Sequence, residues 1–148
     1  MNKLFNTPFE IGLRAMLILY VLSPSKISIT RTISYDFITI YGNDFGVSKN
    51  NLHGENHFNF SELSCRKADF SKALKLFVLY GLIAITPSTK GMTYSLTPTG
   101  KTYVESLESN YKVQYIEILN KVKITYGGLS DTEITNLINN TAIKALRR

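Results

Sequence analysis

Apolar residues recur at helical spacing along most of the chain and alternate in one short stretch, and this contrast predicts the architecture. Phe9, Leu13, Met16, Leu17 and Tyr20 form a core-facing stripe that ends before Pro24. Thr7, Pro8 and Glu10 give that helix a cap, a first-turn proline and the third member of a capping box. A second helix is expected from about Ile29 to Tyr41, with Ile29, Ile33, Phe37 and Ile40 or Tyr41 on one face. Its β-branched residues lower helical propensity and leave a strand open there.

Periodicity is lost from Gly42 to Leu63, a segment rich in Asn and Gly that holds both histidines. It reads as a long loop, and long ordered loops tend to be functional. The helical pattern resumes over Leu63 to Tyr80, with Phe70, Ala73, Leu74 and Phe77 inward and Lys72 and Lys75 outward. The last turn of that helix is apolar nearly all round, which implies cover by another element or a partner. Gly81 suits its C-cap. Leu82 to Thr86 and Met92 to Leu96 alternate as strands around a five-residue loop, Pro87 to Gly91. Thr97-Pro98 opens another helix; a further one runs from about Tyr111 to Tyr126, closed by Gly127-Gly128. Ser130 and Glu133 form a capping box for a last helix toward Leu146.

The order helix, strand, turn, strand, helix over Cys65 to Leu107 is that of the second half of a winged helix-turn-helix. The fold class expected is therefore α+β and mainly helical, with a two-stranded wing and extra C-terminal helices. Residues 1–148 are expected to be a single domain, with a core over 1–107, the long 42–63 loop inside it, and a helical extension over 108–148.

Charge changes the picture more than composition does. The net charge is +6, and the halves differ: Met1 to Ser64 balances five Lys and Arg against five acids, while Cys65 to Arg148 carries twelve against six. A basic half invites nucleic acid or an acidic protein surface, and it reads equally as an ordinary solvated face. One Cys forbids an internal disulfide, and the eight-residue apolar run Ala15 to Leu22 falls short of the about 20 residues a membrane span needs. The chain is expected to be cytoplasmic, without membrane contact.

The third helix and the wing tip supply a candidate nucleic-acid surface: Arg66, Lys67, Ser71, Lys72, Lys75 and Lys90. Lysines neutralise phosphates, whereas base reading favours Arg, Asn and Gln. With one Arg and no Asn or Gln, this helix suits non-specific phosphate contact rather than sequence reading. His53, His57 and Cys65 with Asp44 and Glu55 lack the spacing of a metal site, and no catalytic motif appears. No cofactor, metal or catalytic residue is expected.

Several segments together resemble one family. They are Phe5 to Arg14 with the apolar run after it, Tyr35-Asp36, Gly42, and Asp44-Phe45-Gly46 followed by Leu52-His53. Arg66, the Leu74 to Leu82 helix end, Tyr94 to Gly100 and Leu129 to Glu133 complete the set. The family they resemble is the middle components of bacterial ABC three-component systems. The departure is Gly54, where the family pattern has proline. The resemblance implies a non-catalytic winged-helix adaptor, encoded with an SMC-like ABC ATPase and a variable effector protein, that acts in defence against phage or plasmids. It also gives the loop a use: Asp44, Phe45, Leu52 and His53 would shape a partner surface, beside the over-apolar helix end at Leu76, Leu79 and Tyr80. The alternative is a winged-helix transcriptional regulator that binds DNA through the basic helix.

Overall fold

The structure is a computed structural model that describes residues 7–52 and 60–146. In chain order the elements are α1 (Pro8–Leu22), β1 (Ile27–Ser28), α2 (Ile29–Ile40), α3 (Phe60–Leu79), β2 (Ile83–Ser88), β3 (Gly91–Leu96), α4 (Pro98–Ser106), α5 (Asn110–Tyr126) and α6 (Asp131–Leu146). The described chain is thus mainly helical with one small antiparallel sheet, ordered β1-β3-β2.

Local chemistry sets most helix starts. The hydroxyl oxygens of Thr7, Ser28, Thr97 and Ser109 accept from the backbone N–H of Glu10, Arg31, Gly100 and Lys112, each three residues on. The box at α6 is reciprocal: Glu133 N–H donates to Ser130 Oγ at 3.1 Å, and Ser130 N–H donates to Glu133 Oε1 at 2.9 Å.

Helix α1 packs against α2, α3, α4, α5 and β3, so its burial is broader than one stripe. Met16 and Leu17 are buried as expected, joined by Ile11, Ala15, Ile18 and Leu19, while Phe9 at the helix start is 52% exposed. Gly12 sets the α1–α3 approach: a Cβ there would meet the Phe77 ring at 2.2 Å. Helix α2 is equally central, and every residue from Thr32 to Ile40 is buried. Burial on all sides outweighs the weak propensity of its β-branched residues, and the Thr32 and Thr39 hydroxyls donate back to the carbonyls of Ser28 and Tyr35.

Three expectations are corrected. Helix α3 starts at Phe60 rather than Leu63, so the loop is shorter than 42–63. Its described part is a compact turn in which Val47 N–H donates to Gly42 O at 2.8 Å and Leu52 N–H to Ile40 O at 2.9 Å. The wing loop is not five residues long: β2 and β3 pair out to Ser88 and Gly91, leaving Thr89 and Lys90 as the turn. Pro87 sits in β2, an edge strand where its missing N–H costs no ladder bond. The sheet also has three strands rather than two, because Ile27 and Ser28 pair with Tyr94 and Thr93.

The C-terminal helices are structural partners of the rest and not an appendage. Tyr115, Ile118, Leu119 and Val122 of α5, with Ile134, Ile138 and Ala142 of α6, join the same core as Phe37, Phe70 and Phe77. Among the described residues no helix is long and apolar enough to cross a membrane.

Candidate functional site

Helix α3 carries most of the expected surface. Phe70, Ala73, Leu74 and Phe77 face the core, and Ala68, Lys72, Lys75 and Leu79 lie along the opposite side at spacings of four, three and four. Lys67, Lys72 and Lys75 are exposed, and Ser71 is half-buried. The ridge changes character along its length. It is basic through Lys75 and then apolar, with Leu76 half-buried, Leu79 82% exposed and Tyr80 59% exposed.

The helix stops there for a local reason. Gly81 adopts φ +76°, its N–H donates to Val78 O at 3.0 Å, and Leu82 N–H donates to Phe77 O at 3.0 Å. This is a Schellman ending, and it fixes where Leu79 and Tyr80 stand. Lys90 is exposed at the β2–β3 turn, where its N–H donates to Ser88 Oγ at 3.2 Å.

Arg66 does not join that surface. It is 6% exposed, and its guanidinium donates to Asp36 Oδ2 at 2.9 Å and stands over the Phe37 ring at 5.4 Å. A guanidinium committed to a buried carboxylate is withdrawn from phosphate contact, so the basic surface of α3 is made by lysines. Two of the residues expected at a partner surface lie nearer the core: Phe45 is 6% exposed, and Leu52 is half-buried and packs against the core. The Phe45 ring meets Phe37 edge-on at 6.3 Å, and its carbonyl accepts from the Tyr126 hydroxyl at 2.7 Å. Asp44 is half-buried and accepts from Asn51 Nδ2 at 3.2 Å. His53, Glu55, His57 and the Cys65 side chain lie outside the described residues; within them no cluster of three or more His, Cys, Asp or Glu is placed to hold a metal.

Sequence reasoning missed the strongest polar constellation, which is internal. Asp36 is 0% exposed and receives three side chains. Arg14 Nε donates to Oδ1 at 2.8 Å, Arg66 Nη1 to Oδ2 at 2.9 Å, and the Tyr115 hydroxyl to Oδ1 at 2.6 Å. Burial pushes the Asp36 carboxyl up, but the Arg14 and Arg66 charges and the hydrogen bonds outweigh it and hold it below the usual carboxylate value. The Tyr115 hydroxyl is driven well above its ordinary value by burial and by the Asp36 charge. One carboxylate thereby ties α1, α2, α3 and α5 together. The signal was present in the sequence: Arg14 and Asp36 are charges inside apolar runs, and a buried charge requires a partner.

A second cluster pins α6 to α2. Ser28 Oγ donates to Asp131 Oδ2 at 2.5 Å and Arg31 Nε to Asp131 Oδ1 at 2.8 Å. Arg31 also donates to Leu129 O and to the Tyr35 hydroxyl. Both clusters bind helices to one another through paired charges: the first is internal, and the second lies at the surface, where the Asp131 side chain is 42% exposed.

An apolar hollow of about 310 Å³ opens between α1 and the α4–α5 corner, lined chiefly by Phe9, Leu13, Leu17, Leu107 and Tyr111. Phe9, which lines it, has its ring 6.0 Å from the buried Phe77 ring of α3, and Phe77 in turn lies 6.0 Å from Tyr80.

The family model for the ABC-three component (ABC-3C) system Middle Component 2 matches residues 4–148. The chain therefore belongs to that family. No curated protein and no solved structure matches it.

Proposed function

We propose that this Middle Component 2 chain is a non-catalytic winged-helix adaptor that couples an SMC-like ABC ATPase to an effector protein in antiviral or anti-plasmid defence. Membership of a three-component system implies partner components. The observation that carries the adaptor reading is the end of α3, where Leu79 and the following Tyr80 stand 82% and 59% exposed while Phe70, Ala73, Leu74 and Phe77 of the same helix are buried. Large apolar side chains held out by a rigid helix ending are what an interface needs. Four of the polar residues in the segments that carry the family resemblance, Arg14, Asp36, Arg66 and Asp131, are occupied in holding helices together. That leaves them a structural role rather than a chemical one.

The winged-helix reading rests on the order α1-β1-α2-α3-β2-β3 and on β1 closing the sheet beside β3. We read residues 1–148 as one domain, because α5 and α6 share the core of the N-terminal part, and we place it in the cytoplasm as a partner of the ATPase.

A second reading, contact with DNA phosphates, is favoured by exposed Lys67, Lys72, Lys75 and Lys90 on α3 and the wing turn. Sequence-specific regulation is less well supported, since Arg66 is internal. Co-expression of the tagged chain with the other two components tests the adaptor reading. Recovery of a complex supports it. Recovery of the chain alone, with preferential binding to its own promoter over random duplex, would replace it with the regulator reading.

A further inference from the structure

The α3 ridge is mixed in a particular way. Ala68, Lys72, Lys75 and Leu79 run straight along the side opposite the core, from the first to the last of twelve residues, a rise of roughly 16 Å or about three helical turns. Charge occupies its middle, at Lys72 and Lys75, and apolar surface its C-terminal end, at Leu79. Behind that end, the buried Phe77 ring lies 6.0 Å from both Tyr80 and the half-exposed Phe9. Phosphate backbones gain nothing from Leu79 or Tyr80, whereas a partner helix with one apolar end and a carboxylate-bearing end complements both parts of the ridge.

We propose that the outer ridge of α3 docks an acidic amphipathic helix of a partner component. Its carboxylates lie opposite Lys72 and Lys75, and its apolar residues cover Leu76, Leu79 and Tyr80. This deepens the adaptor reading and rests on it. The lysines steer the helix and set its direction, and the apolar end supplies the affinity. The same lysines that suggest nucleic acid thereby serve a protein contact, with DNA as the competing outcome.

The test measures binding of the full chain to each of the other two purified components of its system, and to a random DNA duplex, at two salt concentrations. The variants are Leu79→Asp, the pair Lys72→Glu with Lys75→Glu, and Ile124→Asp as a control on α5, where Ile124 is 84% exposed. All four positions are at the surface, so the fold is retained, and circular dichroism checks it. The expected result is a loss of about tenfold or more for one component with Leu79→Asp and with the lysine pair, and none with Ile124→Asp. Hydrogen exchange on that component should show protection confined to a helix bearing Asp or Glu beside apolar residues. Reversing those carboxylates to Lys should restore binding to the Lys72→Glu, Lys75→Glu chain. If a component binds but neither variant weakens it, the docking proposal is overturned and the adaptor reading stands. If neither component binds the unaltered chain, both fall. If only duplex binding is lost, and only with the lysine pair, the ridge is a phosphate surface and the proposal is overturned.

Discussion

Asp36 and Arg66, thirty residues apart in sequence, meet at 2.9 Å in the interior, and Arg14 and Tyr115 converge on the same carboxylate. Replacing Asp36 with Asn or Ala leaves two buried guanidiniums without their shared counter-charge. Breaking a buried pair by removing one partner costs about 3–5 kcal/mol. Urea unfolding should therefore show a large fall in midpoint for either variant; a change below about 1 kcal/mol would mean that the network contributes little.

The same carboxylate predicts a pH dependence. Its folded value is held below the unfolded one by Arg14 and Arg66 against the burial that raises it. Such a group contributes stability that is present above the unfolded value, about 3.9, and is lost as pH falls through the folded value. Stability should decline below about pH 4 in the unaltered chain, more steeply than in the Asp36→Asn variant. At the alkaline end Tyr115, raised by burial and by Asp36, acts in the opposite sense. Its contribution is whole below about pH 10 and falls as pH rises further. Denaturation midpoints from pH 3 to 11 for the unaltered chain, Asp36→Asn and Tyr115→Phe check both arms.

Gly12 permits the α1–α3 approach, since a Cβ there would meet the Phe77 ring at 2.2 Å. Gly12→Ala should destabilise by about 1–3 kcal/mol through overpacking. Combining it with Phe77→Leu should cost less than the sum of the two single changes, because the smaller side chain makes room. Additive losses would place the strain elsewhere.

Asp131 holds the start of α6 against α2 through Ser28 and Arg31. Asp131→Asn should raise hydrogen exchange in the first turns of α6 while leaving α1 protected. Uniform change across the chain would show instead that α6 does not open by itself.

How much of this was legible depended on the range of the interaction. Caps at Thr7, Thr97 and Ser130 are local, so the starts of α1, α4 and α6 could be read directly. Strand β1 is two residues long and exists through its pairing with β3, about 65 residues away, so no periodicity announces it. Phe45 stands in a polar segment and reads as surface, yet Phe37 and Tyr126 fold the turn inward around it. Arg66 reads as a phosphate ligand because its partner lies on another helix. The apolar excess at Leu79 and Tyr80 was legible, because it depends only on counting faces of one helix.

The most direct test of the adaptor account is light scattering on the purified chain mixed with the purified ATPase component at physiological salt, without DNA. The account predicts co-elution at a mass that contains both proteins. Separate elution at the two individual masses would contradict it.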